Sequence, residues 1–193
     1  MSKVKFGFKN AYYSKITSDA TGAITYATPV KLNGAVSMTL SPAGNEVEFY
    51  AEDGLYYSDS ANNGYDGTLE LAMIPESFLK DILGETEDSN KVLKESAISS
   101  TTAFALLCEF TTDDGNKKFV FYNCTASRPE LSSKTKGESK EVQTETLNLK
   151  IRPNAEGVVK MSTKSDTTAS VISGWYSSVY TENVSSNSSN PTV

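Results

Sequence analysis

The chain has 193 residues, of which 38% are hydrophobic, 24 are acidic, 18 are basic and none is histidine, giving a formal net charge of −6. Without histidine, Ser/His/Asp and Cys/His catalytic sites and histidine zinc sites are excluded, so we expect a protein that is not an enzyme and needs no cofactor. An acidic chain with only two arginines, Arg128 and Arg152, also lacks the basic stripe that grips nucleic acid.

The apolar segments bear on location and domain organisation. None approaches the roughly 20 residues of a membrane span, and the opening Met1–Lys5 lacks the apolar core of a secretory signal. We therefore expect that the protein has no membrane anchor and that it folds in the cytoplasm.

The length of the chain is typical of one domain, which we place at residues 1–182. The Ser- and Asn-rich residues 183–193 are predicted to form a flexible tail.

Strand patterns dominate the chain. Eight segments rich in β-branched or aromatic residues are bounded by Gly, Pro, Asn or Asp, and each predicts a strand. In chain order they are Lys3–Lys15, Ile24–Asn33, Ala35–Leu40, Glu46–Ala51, Thr68–Ile74, Phe104–Thr112, Lys117–Ala126 and Glu141–Arg152. Leu147, Leu149 and Ile151 alternate with polar residues, which predicts a strand with one buried and one solvated face. Glu70 is likewise expected to point outward.

Residues 113–116, Asp-Asp-Gly-Asn, predict a hairpin between two of these strands, with Asp-Gly as a two-residue type I′ turn. That register places Cys108 opposite Phe121 and Cys124 opposite Ala105, so the two sulfurs are expected on opposite faces. Both thiols are predicted to be reduced and buried, because two cysteines in a cytoplasmic protein do not make a disulfide framework.

Two segments predict helices. The first, Pro75–Gly84, begins with proline, ends with glycine and has an apolar face made of Phe78, Leu79, Ile82 and Leu83. In the second, apolar residues recur at helical spacing from Val171 to Tyr180, after candidate caps at residues 166–168. Gly174 lowers its helix propensity by about 1 kcal/mol relative to alanine. Trp175 lies at this spacing and is expected in the core.

Two segments between predicted strands are interpreted as loops. The polar segment Leu131–Val142 is predicted to be solvated. Residues 52–66 combine turn residues with tyrosines, whose rings offer large contact area at low entropic cost. Two interpretations are open: a contact between subunits, or rings folded back on the sheet. The contact would be made through Glu52, Asp53, Leu55, Tyr56, Tyr57 and Tyr65.

Other arrangements of acidic residues are weaker signals. Asp59, Asn63, Gly64 and Glu70 match four positions of a calcium-binding loop, but Ala61 occupies a ligand position and no helix is predicted upstream. A turn is the preferred interpretation. Pairs such as Glu46 and Glu48 share one face of a predicted strand, whereas a glycosidase needs two carboxyls facing each other across a cleft. Solvated charges are therefore preferred to catalysis, and no metal site is predicted.

Several segments together resemble the major tail protein, or tail tube protein, of long-tailed, non-contractile bacteriophages. They follow the family's order over nearly the whole chain, and the specificity lies in that order and coverage. The matching segments are Lys9–Tyr13, Tyr26–Val30, Val47–Leu83, Phe121–Cys124, Ser127–Pro129 and Lys134–Glu138.

The resemblance implies a mainly β fold with one or two helices, built as two packed antiparallel sheets or a split β-barrel of the phage tail tube type. It implies a virion protein, assembled in the host cytoplasm, whose homohexameric rings stack into a tube. The implied partners are a tape-measure protein and terminator or baseplate proteins, while double-stranded DNA passes through without specific binding. Acidic side chains facing the lumen would repel that DNA, and the candidates are Glu46, Glu48 and Glu70.

A second class of function remains open at this point, a β-sandwich module for carbohydrate binding or adhesion. Its stacking platform for sugar rings would be formed by Tyr56, Tyr57, Tyr65 and Trp175. The two hypotheses differ in their expected behaviour, because a tail tube subunit polymerises and a binding module remains a monomer that retains glycans.

Overall fold

The computed structural model describes residues 4–18, 23–44, 46–135 and 142–182. The predicted tail at residues 183–193, and most of the second half of the predicted loop Leu131–Val142, lie outside the described residues. The strands are β1 (Lys5–Ser18), β2 (Ile24–Tyr26), β3 (Val30–Leu32), β4 (Ala35–Pro42), β5 (Glu46–Ala51), β6 (Gly54–Ser60), β7 (Tyr65–Leu71), β8 (Thr86–Glu87), β9 (Leu93–Lys94), β10 (Phe104–Thr112), β11 (Gly115–Ala126), β12 (Glu145–Arg152) and β13 (Lys160–Ser162). The helices are α1 (Glu76–Asp81) and α2 (Ala169–Gly174).

One antiparallel sheet of nine strands organises the described part of the chain. Its order is β2-β1-β10-β11-β12-β7-β4, with β3 also paired to β1 and β13 also paired to β11. The sheet curls until β4 approaches β1. No ladder joins those two strands within the described residues, so the barrel is split rather than closed. The predicted mainly β fold with packed antiparallel sheets and two helices is confirmed.

The larger core lies inside the curl. Leu147, Leu149 and Ile151 of β12 point into it, whereas the alternate residues of that strand are exposed or partly exposed, as the sequence pattern predicted. Helix α1 covers one end, with Phe78 fully buried. The ring of Tyr13 meets that of Phe78 edge-on at 5.1 Å, and the Tyr13 hydroxyl donates a hydrogen bond to Asp81 at 2.8 Å.

A second core lies on the opposite face of β1, β10 and β11. The C-terminal segment covers this face and contributes Trp175 and Val179, which pack against Leu107, Val120 and Tyr122. Because β10 is covered on both faces, every residue from Phe104 to Glu109 is buried. The expectation that Trp175 belongs to the core is confirmed, since it is 3% exposed.

Both predicted helices are present, and both are shorter than predicted. Helix α1 begins as predicted, with Pro75 at its N-cap, but it ends at Asp81. Ile82 and Leu83 of the predicted apolar face follow the helix, and Gly84 after them is left-handed (φ +76°). Helix α2 is shorter than predicted, because it ends at Gly174, the residue with the lowest helix propensity in the segment. The chain then turns, and Trp175 and Val179 reach the second core without a continuous helix.

The predicted register of the β10–β11 hairpin is wrong. Thr112 pairs with Gly115, so the turn residues are Asp113 and Asp114, neither of which has the positive φ of a type I′ turn. Cys108 pairs with Phe119 and Cys124 with Phe104, rather than with the predicted partners.

The two sulfurs also lie on one face rather than on opposite faces. Cys108 and Cys124 both belong to the larger core, because a register irregularity between Phe104 and Leu106 shifts the alternation of side chains. The prediction of free, buried cysteines is confirmed. Burial raises the pKa of the Cys108 thiol to about 12 and raises that of Cys124 as well, so both are protonated at neutral pH.

Truncating a large side chain in α1 or just beyond its end tests the predicted apolar face; Leu79 lies in α1 and Leu83 follows it. Leu83→Ala is expected to lower the free energy of unfolding by about 2 to 5 kcal/mol, because Leu83 is 2% exposed and its loss leaves a cavity. Leu79 is only partly buried, so Leu79→Ala is expected to cost less. Urea denaturation of the two variants provides the comparison. Equal midpoints for the parent and the Leu83 variant would show that this face is not packed.

Candidate assembly surface

A two-stranded hairpin extends from one end of the β4–β7 pair. The ladder between these strands ends at Pro42 and Tyr65, and the pairing continues with backbone hydrogen bonds of 2.9 and 2.8 Å between Ala43 and residues 63–64. Gly44 lies so close to Ala61 that a Cβ at Gly44 would be 1.9 Å from the Ala61 carbonyl oxygen. The two chain segments therefore leave the main sheet side by side and continue as β5 and β6. We call residues Glu46–Ser60 the aromatic hairpin.

The aromatic hairpin exposes an unusual amount of apolar surface. Its large side chains are more than half exposed, and they are Phe49, Tyr50, Leu55, Tyr56 and Tyr57. Tyr56 is the most exposed of them, at 78%. A two-stranded hairpin is marginally stable by itself in water. Exposed aromatic side chains on such an element make it a candidate contact surface.

The tip of the aromatic hairpin is a tight turn. Glu52 (φ +52°) and Asp53 (φ +59°) are both left-handed, and they connect the paired residues Ala51 and Gly54. This is the two-residue geometry that matches the twist of antiparallel strands. Near the tip, the Tyr50 hydroxyl donates a hydrogen bond of 2.7 Å to Glu48, which raises the pKa of Tyr50.

Most of the predicted contact residues lie on this hairpin, although the predicted loop is wrong. Residues 54–60 form β6 and β7 begins at residue 65, so the segment is largely strand. Glu52 and Asp53 form the tip, and Leu55, Tyr56 and Tyr57 lie on β6. Sequence reasoning missed this strand because both of its faces are exposed, which removes the alternation that identifies a half-buried strand.

Tyr65 is the exception among the predicted contact residues. It lies at the start of β7, partly buried against the larger core, with its ring edge-on to Phe121 at 6.4 Å. Its hydroxyl accepts a hydrogen bond of 2.7 Å from the Lys160 ammonium. The structure thus places Tyr65 at the base of the aromatic hairpin and not on it.

The acidic candidates for a lumen surface are separated in the structure. Glu48 is exposed on the aromatic hairpin, and the side chain of Glu46 lies outside the described part of the chain. Glu70 points outward from β7 and accepts hydrogen bonds from Ser37 at 2.8 Å and from Thr144 at 2.6 Å. These two hydrogen bonds lower the pKa of Glu70, so its carboxylate stays charged.

Glu70 belongs to a broad polar surface formed by the outward face of β4, β7 and β12. Antiparallel pairing aligns the side chains in rows across these three strands. We call this surface the polar face, and its members are Ser37, Thr39, Asp66, Thr68, Glu70, Thr146, Asn148 and Lys150. Arg152 forms a salt bridge of 2.7 Å with Asp66 at its edge. Hydroxyl and amide groups outnumber charges on this face.

The positions of the remaining candidate residues argue against a calcium site and against a sugar-stacking platform. Asp59 lies on β6 and Glu70 on β7, in different sheets, so they do not form a calcium loop. Within the described residues, no group of three or more His, Cys, Asp or Glu side chains is placed to hold a metal ion. Trp175 is buried, so it cannot stack sugar rings together with the exposed Tyr56 and Tyr57.

Comparisons with known proteins do not assign a family. Neither a scan against protein-family models nor a search of curated proteins finds a match to this chain. No helix in the described ranges is long and apolar enough to cross a membrane. Function is therefore inferred from the chain's own residues and surfaces.

Proposed function

We propose that this protein is the structural subunit of a phage tail tube, and that it assembles into stacked hexameric rings forming the conduit for genome delivery. The observation that carries the proposal is the aromatic hairpin, which exposes five large apolar side chains on an element that lacks a core of its own. A second copy of the chain would cover this surface. The ordered sequence resemblance supports the same class of protein.

The free edge of the main sheet also favours assembly. Strand β4 ends the sheet, and within the described residues nothing pairs with its outer edge over residues 35–42. Open edges of this length template pairing with another chain. Pairing of such edges around a ring would produce a continuous inner barrel without free strands.

The polar face suits the wall of a DNA conduit. Glu70 on this face stays charged and repels a phosphate. Six subunits of net charge −6 give −36 per ring, which adds to that repulsion. In this proposal Glu70 faces the lumen, whereas Glu46 and Glu48 belong to the aromatic hairpin, which contacts a neighbouring copy. A tape-measure protein would occupy the lumen before ejection, with terminator or baseplate proteins at the tube's ends.

Negative-stain electron microscopy of the purified full chain tests the proposal. We expect rings with sixfold symmetry and hollow tubes whose length increases with protein concentration. A chain that remains monomeric at high concentration would contradict the proposal. If that monomer also bound immobilised glycans, the carbohydrate-binding hypothesis would replace it.

Removal of the aromatic hairpin tests the role of this element directly. Replacing residues 45–60 with a short Gly/Ser turn between Gly44 and Ala61 is expected to preserve the fold, because these segments leave the sheet side by side. The variant should lose tubes, since its main contact surface is gone. Circular dichroism reports the fold and microscopy reports the assembly.

A matched control alters an exposed turn elsewhere on the surface. Ala155→Gly with Glu156→Ser changes the exposed turn after β12 and should leave tubes unchanged. Isolated rings from the hairpin deletion would place the aromatic hairpin between rings. Loss of both rings and tubes would place it between neighbours within a ring. Normal tubes would exclude it from assembly.

A further inference from the structure

Three lysines lie over aromatic rings along one end of the main sheet. The ammonium of Lys5 is 4.7 Å from the ring centre of Phe110, that of Lys117 is 5.5 Å from Phe119, and that of Lys160 is 4.6 Å from Tyr65. Each distance is typical of a cation–π interaction. We call this surface the lysine–aromatic ridge, and its members are Lys5, Lys117, Lys160, Phe110, Phe119 and Tyr65.

The ridge is continuous across the sheet. Phe110 contacts Phe119 at a ring separation of 5.4 Å, and Phe121 connects Phe119 to Tyr65 at 6.3 and 6.4 Å. It therefore runs from the base of the aromatic hairpin on β7 to β1, near the opposite side of the sheet. All three lysines are exposed, and none of them forms a salt bridge with another described residue.

The aromatic hairpin has the opposite charge. Residues 46–60 contain five acidic side chains and no lysine or arginine. The rest of the chain has 19 acidic and 18 basic residues, so the hairpin carries five of the six net negative charges. Its acidic side chains are distributed over its whole length, from the tip at Glu52 and Asp53 to Glu48 and Asp59 nearer the base.

We infer that the aromatic hairpin of one copy docks on the lysine–aromatic ridge of a neighbouring copy. This inference rests on the proposed function, and it identifies the surface that receives the hairpin. Carboxylates would pair with the three exposed lysines while Tyr56, Tyr57 and Phe49 pack against the ridge. The hairpin lies off its own ridge, since its large side chains and all three lysines are exposed.

The dimensions of the two surfaces agree. A seven-residue strand such as β6 is roughly 23 Å long. Lys5 on β1 and Lys160 on β13 are separated by three strand spacings, which is about 14 Å. The hairpin is thus long enough to reach all three lysines at once.

The separation of the two surfaces also bears on the symmetry of the contact. The curl of the sheet brings β4 close to β1, but the hairpin lies off its own ridge. One copy can therefore offer its hairpin to one neighbour and its ridge to another, which is the heterologous arrangement that closes into a ring. The contact is placed within a ring, and complementary charge fixes its register.

Charge reversal on each surface tests the docking. The ridge variant is Lys5→Glu, Lys117→Glu and Lys160→Glu, and the hairpin variant is Glu48→Lys, Glu52→Lys and Asp59→Lys. Each variant alone is expected to remain monomeric at concentrations at which the parent forms tubes, because like charges then face each other. Analytical ultracentrifugation measures the assembly state, and circular dichroism confirms that each variant is folded.

Mixing the two variants provides the decisive result. In a ring with an even number of subunits the two chains can alternate, so that every reversed hairpin meets a reversed ridge and every original hairpin meets an original ridge. An equimolar mixture is therefore expected to recover rings containing both chains at one to one. A mixture that remains monomeric, although both chains are folded, would overturn the inference.

The control reverses three exposed lysines away from the ridge, with the same change of net charge. It is Lys31→Glu, Lys94→Glu and Lys134→Glu, and it should assemble like the parent. If this control also lost assembly, the change of net charge would explain the effect, and the inference would be overturned.

Other outcomes separate the parts of the inference. Isolated rings from the hairpin variant would overturn the placement of the contact within a ring. A parent chain that forms no rings would contradict the proposed function, whereas parent tubes with unaffected variants would contradict the docking alone.

Discussion

Replacing Glu109 with glutamine is expected to lower the free energy of unfolding by about 3 kcal/mol. Glu109 is 2% exposed, and its carboxylate forms a salt bridge of 3.2 Å with Lys118, whose side chain is only 13% exposed. Removing the negative charge leaves this cation in the interior without its counter-ion, which costs more than the pair contributed. Urea denaturation measures the change.

Glu109 also connects separate parts of the fold. Its carboxylate accepts hydrogen bonds from Asn10 of β1 at 2.8 Å and from Tyr176 of the C-terminal segment at 3.0 Å. The Tyr176 ring is stacked on Tyr12 at 4.5 Å. The glutamine variant should therefore loosen the C-terminal segment. Because Trp175 is the only tryptophan of the chain and lies in this segment, its fluorescence reports that change.

The effect of this substitution should depend on pH. Burial by itself raises the pKa of Glu109, but hydrogen bonds from Asn10, Tyr176 and Lys118 outweigh it and lower the pKa below the usual value near 4.5. A carboxylate whose pKa is lower in the folded state stabilises the fold above the unfolded pKa, and this contribution is lost as the pH falls through the folded pKa. The difference between parent and variant should therefore be full at pH 7 and shrink below about pH 4.5.

An exposed glutamate provides the matched control. Glu130→Gln changes the same charge on the surface and should alter stability by less than about 0.5 kcal/mol. If the two substitutions had equal effects at pH 7, the network around Glu109 would not contribute to stability.

The sequence predicted those elements whose pattern is local. Alternating Leu147, Leu149 and Ile151 identified a strand with one buried face, and Pro75 marked the start of a helix. Each of these signals depends only on residues within one strand or one helix. The aromatic hairpin lacked such a signal, since a strand exposed on both faces has no apolar period. Its predicted role as a contact surface depended on composition alone.

The network around Glu109 was not predicted, because it depends on register. Glu109 and Lys118 are cross-strand partners on β10 and β11, and the hairpin register predicted from the Asp-Gly pair did not align them. Asn10 and Tyr176 lie 99 and 67 residues away from Glu109 along the chain. The only signal in the sequence was the position of Glu109 inside the otherwise apolar strand β10. A buried carboxylate needs a buried partner, but the sequence does not show which residue that partner is.

The base of the aromatic hairpin depends on a close approach between strands β4 and β7. A Cβ at Gly67 would be 1.9 Å from the carbonyl oxygen of Thr39 and 2.9 Å from the Cα of Leu40. Both are backbone atoms of β4, so relief requires the whole strand to move rather than one side chain to rotate. Gly67→Ala is therefore expected to lower the free energy of unfolding by about 3 kcal/mol, at the upper end of the usual cost of overpacking.

Gly174→Ala is the control for this substitution. Apart from its chain neighbours and the backbone of its own helix, a Cβ at Gly174 meets no atom within 4 Å. Alanine also favours the last turn of α2 by up to about 1 kcal/mol. Thermal unfolding should therefore rank the Gly174 variant at or above the parent and the Gly67 variant well below both. Because β4 and β7 hold the aromatic hairpin, a folded Gly67 variant should also assemble less well than the parent at a temperature where both are folded. Equal stability of the two alanine variants would show that β4 moves away from Gly67 without cost, and would remove the reason for a glycine at this position.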